Sequence, residues 1–574
     1  MADKLRGMKK GLTRYGDEKF SLFLRKAFIK AMGYSDDALS KPIIGITNTY
    51  SAYNACHGTV PQLIEAIKRG VMLAGGLPME FPVISLHESF SHPTSMFLRN
   101  LMSMDTEELI RAQPMDAVVL VGGCDKTVPA LLMGAASAGV PSIMCVTGPM
   151  LTGSHRGERL GACTDCRRMW AMHRAGELDE QEIEEVGSKL VPSAGSCGVM
   201  GTASTMALMT ETLGMMLPGG AAIPAVLGDR YRHAELTGAR AVEIAEEDLV
   251  PETIMTAQSI ANSLRVLHAI GGSTNGLIHM TAIAGRLGIK VDLQAFDKLG
   301  ADTPVLVNLK PSGEHYMEDL HKAGGLGPIL RELRPLLHLN VPTISGRTLG
   351  EEIDALPAPW QQDVVTPIDK PLYGEGGMAV LQGNLAPGGA IIKQSAASPQ
   401  LMTHTGRAVV FESLEDMTQR IDSEDLDVSA DDVLVLRNAG PKGAPGMPEA
   451  GYIPIPQKLA RAGVKDMVRI SDARMSGTAF GTIVLHISPE SAAGGPLALI
   501  KNGDEIKLDV PGRTLQLMIS DAEMADRKGS WSPPPAHLDQ DRGYLKLHLD
   551  HVLQAEEGCD FDFLIVSPAR DHTP

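Results

Sequence analysis

The run Asp116-Ala117-Val118-Val119-Leu120-Val121 ends on Gly122-Gly123-Cys124-Asp125-Lys126. A small-residue helical stretch then reaches Gly139, and a second apolar run follows from Pro141 to Val146. Strand, helix and strand at this spacing make a βαβ unit, which requires a mostly parallel sheet covered by helices. Upstream, Pro42 to Thr47 reads as a strand, Pro61 to Ala74 as a helix entered through proline, and Phe81 to Leu86 as another strand. Parallel sheets of this kind bind ligands beyond the carboxyl ends of their strands. Cys124, Asp125 and Lys126 fall at that place.

A chain of 574 residues is too long for one core, so at least two domains are expected. The pattern breaks between Ala355 and Gly377, where prolines and a glycine pair accumulate, and this reads as a linker. The expected division is 1–375, an α/β/α domain, and 376–574, a smaller β-barrel-like domain. Strand signals in the second part cover Ala408 to Phe411, Asp432 to Leu436, Met467 to Ile470, Thr482 to Ile487, Glu505 to Val510 and Thr514 to Ile519. The Met-rich stretch Val199 to Leu217 reads as a buried helix. The tail beyond Trp531 holds one helical stretch, Tyr544 to Ala555, expected at the periphery or on a partner subunit.

Net charge is −17 and no run of five or six like charges occurs, which argues against nucleic acid or an anionic membrane as partner. An anionic substrate would need local positive charge, from metal ions or a few arginines. Seven cysteines, odd and sparse, point to a reducing compartment, and no signal peptide or membrane span is read, so a cytoplasmic protein is expected.

Three cysteines stand alone in glycine or small-residue loops: Cys56, Cys124 and Cys197, 68 and 73 residues apart. Most free cysteines are small buried hydrophobes, as Cys145 and Cys559 look to be. Three thiolates gathered by a fold can instead hold an iron–sulfur cluster and leave an iron site free for Lewis-acid chemistry. Cys163-Thr164-Asp165-Cys166 has the CxxC spacing but no second ligand pair, and is given no ligand role. Asp125 beside Cys124 would suit Mg²⁺. Glu88 follows a strand and could reach the same face or remain a solvated loop acid. Lys126 is either an ion-pair partner of Asp125 or a carbamylated, anionic ligand. In Arg469 to Thr478, Ser476 is a turn residue or a base. Glu449 sits on the Gly/Pro-rich loop Gly443 to Glu449, readable as a tight surface turn.

Four motifs occur in one order: Cys-Asp-Lys-Thr-x-Pro at 124–129, Gly-Ser-Cys-Gly-x-Met-Gly-Thr-Ala at 195–203, Gly-Pro-Lys-Gly-x-Pro-Gly-Met-Pro-Glu at 440–449 and Ser-Asp-x-Arg-x-Ser-Gly at 471–477. With them the whole chain resembles the dihydroxy-acid dehydratase / phosphogluconate dehydratase family of iron–sulfur hydro-lyases. The resemblance implies cluster ligation by Cys56, Cys124 and Cys197, as [2Fe–2S] or alternatively [4Fe–4S]. It implies Mg²⁺ ligation by Glu88, Asp125, carbamylated Lys126 and Glu449, with Ser476 as base and Thr478 as substrate contact. It further implies a homodimer or homotetramer.

The implied reaction removes water from a 2,3-dihydroxy acid to give a 2-keto-3-deoxy acid without net redox. The serine motif, Ser-Asp-Ala-Arg-Met-Ser-Gly-Thr, is similar to that of sugar-acid dehydratases acting on arabinonate and other pentonates. The alternative within the family is the dihydroxy-acid dehydratase of branched-chain amino-acid synthesis, acting on 2,3-dihydroxyisovalerate. An iron–sulfur sensor would carry a basic recognition element, and this acidic chain shows none. A CxxC thiol oxidoreductase would have no use for Glu88, Glu449 and Ser476.

Overall fold

The computed structural model describes residues 7–12, 15–534 and 541–566. Its N-terminal sheet is parallel, in the order β2-β1-β3-β4, from β1 (Ile43–Asn48), β2 (Leu77–Pro82), β3 (Ala117–Gly122) and β4 (Ser142–Val146). Every residue of β3 and β4 is buried, as a parallel sheet covered on both faces requires. The helices Val60–Leu73 and Gly228–Glu247 pack together beside the sheet, and Arg99–Ala112 packs with Thr127–Ala138. The helix after β3 closes on Gly139 in the left-handed conformation, a common C-terminal stop. A short hairpin, β5 (Gly153–His155) and β6 (Glu158–Leu160), follows the sheet.

Eight further strands close a barrel: β7 (Ala379–Gly383), β8 (Ala386–Ile392), β9 (Thr403–Phe411), β10 (Val433–Leu436), β11 (Arg469–Ser471), β12 (Ile483–Ser488), β13 (Glu505–Asp509) and β14 (Thr514–Leu517). Their order is β10-β11-β12-β8-β7-β14-β13-β9. β9, β10, β11 and β12 run parallel to one another, and the β7–β8 and β13–β14 hairpins complete the ring. The α/β class and the barrel agree with the sequence reading. β7 and β8 lie outside the strand list because Gly383, Pro387, Gly388 and Gly389 punctuate them like turns.

Three local expectations are corrected. The second strand is Leu77–Pro82 rather than 81–86: its register with β1 ends at Asn48 opposite Pro82, and the chain after it turns toward the strand ends. The Met-rich helix spans Thr202–Thr212, buried throughout, shorter than the apolar stretch around it. The proline-rich segment read as a linker bridges back to the chain before it, Val365 to Val307 and Tyr373 to Val305. The tail is no peripheral arm. Its helix is Gly543–His551, and Val552, Cys559 and Phe561 are buried in one cluster with Met96, Ile278 and Met447. Among the described residues no helix is long and apolar enough to cross a membrane.

Candidate active site at the carboxyl ends of the parallel strands

All four sheet strands deliver residues to one place. Beyond β1, Cys56 lies in the turn Ala55–His57, and beyond β2, Glu88 opens the turn Glu88–Phe90. β3 runs into Cys124, Asp125 and Lys126. β4 leads to Gly148, whose carbonyl accepts from the Ser196 amide at 2.9 Å, while the Met150 amide donates to the Ser196 carbonyl at 2.8 Å. That pairing seats Cys197.

His57 organises the loop after β3. Its Nε2 accepts the amides of Gly123 at 3.1 Å and Cys124 at 3.2 Å, so the ring proton sits on Nδ1 and is donated to the Thr49 carbonyl at 2.7 Å. Burial holds the ring down to about 4, so it stays neutral. Only glycine fits at Gly123, because a Cβ there would lie 1.7 Å from Thr147 Oγ1.

Two donor sets of different chemistry result. In the first, the thiols of Cys56 and Cys124 face each other beside His87. Cys197 lies within electrostatic reach of Cys56. In the second, Glu88, Asp125 and Glu449 bring carboxylate oxygens within 4.8 Å of one another. Cys124 Sγ, 3.5 Å from Asp125 Oδ1, joins the sets. Soft sulfur ligands suit iron and hard oxygen ligands suit Mg²⁺, so the residues fit both groups side by side.

Two buried cations balance the acids. Lys126 Nζ contacts Asp125, lies 3.1 Å from Glu88 and 3.7 Å from Glu449, and is fully buried. Arg474 donates to Glu449 at 2.5 Å and to Thr94 Oγ1 at 2.7 Å, with Glu88 at 3.3 Å. Burial pushes the Glu88 carboxyl up, but Lys126, Arg474 and the hydroxyls of Ser95 and Thr94 outweigh it and hold the acid well below its usual range. For Glu449 burial wins, and its carboxyl is raised despite the same two cations. As an ammonium, Lys126 stands where a metal ion would be held.

The barrel supplies the other wall. The loop after β10 is no surface turn: the buried Glu490 carboxylate accepts the amides of Lys442 at 2.9 Å and Gly443 at 2.9 Å, and draws the loop inward to place Glu449. After β11, Asp472 accepts the amides of Ala439 at 3.0 Å and Ser491 at 2.8 Å and fixes the turn that carries Arg474, Ser476 and Thr478. Ser476 is half-buried, and its Oγ shares a hydrogen bond with Thr478 Oγ1 at 2.8 Å. Asn275 donates to the Met475 carbonyl at 3.1 Å, and Thr164 to the Thr478 carbonyl at 3.0 Å. A Cβ at Gly477 would lie 2.5 Å from Ser273 Cβ, so glycine is needed for this approach.

The chain matches the profile described as "Dihydroxy-acid/6-phosphogluconate dehydratase N-terminal" over residues 41–352 and its C-terminal counterpart over 363–559. It belongs to the dihydroxy-acid/6-phosphogluconate dehydratase family. Similar members include the L-arabinonate dehydratase of Rhizobium leguminosarum bv. trifolii (strain WSM2304), 49% identical over 96% of this chain and 95% of that protein. The L-arabonate dehydratase of Azospirillum brasilense is 48% identical over 96% of each chain. The dihydroxy-acid dehydratase of Carboxydothermus hydrogenoformans (strain ATCC BAA-161 / DSM 6008 / Z-2901) is 38% identical over 93% of this chain and 97% of that protein.

The structure gathers Cys56, Cys124 and Cys197 into one set and Glu88, Asp125, Lys126 and Glu449 into the other, with Ser476 and Thr478 on the adjoining turn. It also brings in His57, Arg474 and Lys393, which the sequence reading passed over, and Cys163, to which it gave no ligand role. Arg474 lay within the serine motif, but its fixed position among the acids gave it no separate signal. Lys393, directly after the apolar end of β8, was visible as a charge closing a hydrophobic run.

Lys393 is 1% exposed, and its Nζ donates to the Gly477 carbonyl at 3.1 Å, bracing the Ser476 turn from beneath. Burial lowers it to about 7 from 10.5. Between those values the unfolded chain holds a proton that the folded chain has lost, so stability rises with pH, and the penalty is full below the folded value. Lys393→Met is expected to remove about 2 kcal/mol of the gain in unfolding free energy between pH 7 and pH 9. Denaturant titration at both pH values checks this, and an identical gain in the variant would refute it.

Proposed function

We propose that this chain is a sugar-acid dehydratase, converting an aldonate such as L-arabinonate or D-xylonate to its 2-keto-3-deoxy acid and water. The observation that carries the reading is the contact between a three-thiol set and a three-carboxylate set, closed by the turn of Ser476. In this reading Cys56, Cys124 and Cys197 hold an iron–sulfur cluster, and Glu88, Asp125 and Glu449 hold Mg²⁺. When bound, these groups supply Lewis acidity at neighbouring substrate oxygens.

Lys126 carries a carbamate: its ammonium loses one proton, the amine adds CO₂ with loss of a second, and the carbamate would offer oxygen to the cation in place of a competing charge. Arg474 orients Glu88 and Glu449. Ser476, entering the step with Oγ deprotonated and accepting from Thr478 Oγ1, would take the C2 proton as general base; the C2–H electrons form the C2=C3 bond, and the C3 hydroxyl leaves and takes up that proton as water. The enol that remains tautomerises to the ketone. Thr478 positions Ser476 and meets the substrate. No electron is transferred between enzyme and substrate.

The arabinonate-type relatives at 48–49% identity, against 38% for the dihydroxy-acid dehydratase, support the sugar-acid choice. A second reading, dehydration of 2,3-dihydroxyisovalerate, has support in that relative and in metal sets that would grip only C1 to C3. A substrate panel read by 2-keto acid formation separates them. We expect kcat/KM for L-arabinonate or D-xylonate to exceed that for 2,3-dihydroxyisovalerate by at least tenfold. The reverse order would transfer the assignment to the second reading.

A further inference from the structure

Cys163 stands at the head of the helix Thr164–Ala175, and its Sγ lies 3.7 Å from Cys197 Sγ. Two thiolates on one tetrahedral metal, with metal–sulfur bonds of roughly 2.3 Å, sit about 3.8 Å apart. The separation therefore matches two ligands of a single iron. Cys56 and Cys124 are the remaining thiols, linked through His57, the residue after Cys56, whose Nε2 accepts the Cys124 amide at 3.2 Å. A pair at one iron, with two thiolates left for the other, suits the two irons of a [2Fe–2S] cluster with four thiolates. It does not suit a [4Fe–4S] cube, in which each thiolate takes its own iron and neighbouring thiolates stand further apart.

The position of Cys163 is built into the fold. Asp165, two residues on, is almost wholly buried, and it accepts from the Gly161 amide at 2.8 Å, from Lys310 at 2.9 Å and from Tyr316 Oη at 3.0 Å. Thr164 ties the same helix start to the Ser476 turn. Cys166 lies behind, with its thiol on the Cys163 carbonyl at 2.7 Å. Cys163 is half-buried, whereas Cys56 and Cys124 are buried, so it is on the more open side of the set.

We propose that Cys163 is a fourth thiolate of a two-iron cluster, bound to the iron that Cys197 holds in the substrate-free enzyme and exchanged for a substrate hydroxyl. This rests on the iron–sulfur reading above. The exchange breaks one iron–sulfur bond, makes one iron–oxygen bond and changes no oxidation state. Cys163 would close the iron to water and dioxygen between turnovers and yield it to an aldonate.

The test uses the anaerobically reconstituted full chain, with iron and sulfide analysis, X-ray absorption at the iron edge and visible spectra. Without substrate, the wild type is expected to hold two irons and two sulfides per chain with sulfur as every iron ligand. Adding aldonate should then replace one sulfur by oxygen. Cys163→Ala should keep both irons but show that oxygen before substrate is added. Cys163→Ser should give a blue-shifted spectrum from oxygen ligation, and Cys166→Ser should match the wild type. An oxygen ligand in the substrate-free wild type, with a spectrum superimposable on that of Cys163→Ala, would overturn the fourth ligand and leave the cluster reading standing. A wild type that takes up no iron and sulfide would overturn both. The wild-type iron shell decides even if a variant fails to fold.

Discussion

Ser476→Ala is expected to lower kcat by about 10²–10⁴-fold, the range that a positioned general base supplies. The substitution removes one oxygen, which shares its hydrogen bond with Thr478 at 2.8 Å. The turn itself remains pinned from three sides, by Lys393 on Gly477, Thr164 on Thr478 and Asn275 on Met475. Loss of one such hydrogen bond changes stability by about 1 kcal/mol, so the variant should fold and keep the visible spectrum of the loaded wild type. KM should move little, because the proton is taken in the transition state rather than on binding. Steady-state kinetics with an aldonate checks this, and turnover within tenfold of wild type would place the base elsewhere.

Asp560→Ala is expected to cost about 3–5 kcal/mol of folding stability, the penalty for stripping one partner from a buried ion pair. Arg286 and Asp560 are both completely buried and meet through two bonds, at 2.5 Å and 3.1 Å. Without the acid, the guanidinium keeps Ser103 at 2.9 Å, Ser137 at 3.0 Å and an ion pair with Glu107 at 3.6 Å, which offset part of the loss and set the expected cost toward the lower end of that range. The pair also closes the tail against the N-terminal domain, together with Arg99, which donates to the Gly558 and Cys559 carbonyls at 2.9 Å. Denaturant unfolding should show the loss, and limited proteolysis should reach the tail first. An apolar pair at both positions should recover part of the stability, since hydrophobic replacement of a buried ion pair is often neutral or better. A loss below about 1 kcal/mol would mean that the tail is held by its apolar cluster alone.

Much of the architecture was legible in local pattern. Residues 117–122 and 143–146 carry no polar side chain, and only a strand covered on both faces can use such a run. Gly123 was legible only as part of a glycine turn; that it marks a close approach, with the Thr147 side chain filling the space a Cβ would take, was shown by the structure. The barrel hairpin Ala379–Gly383 and Ala386–Ile392 was not legible, because its glycines and proline carry the composition of turns while its pairing is decided by neighbouring strands.

For the site, the sequence by itself determined the chemistry on offer: thiols at loop positions, a carboxylate beside Cys124, and a serine in a small-residue turn. Residue type sets whether a donor is soft or hard, so that much needs no coordinates. Only the tertiary structure decided which donors meet. Glu449 is brought in from 324 positions beyond Asp125 by the amides that Glu490 collects, and Arg474 joins Glu88 across 386. Cys163, set aside for want of a partner in its own stretch of chain, has one in Cys197 at 3.7 Å. Such meetings follow from burying helices and sheet against one another and from pairing the charges trapped between them, and neither force leaves a mark in local spacing.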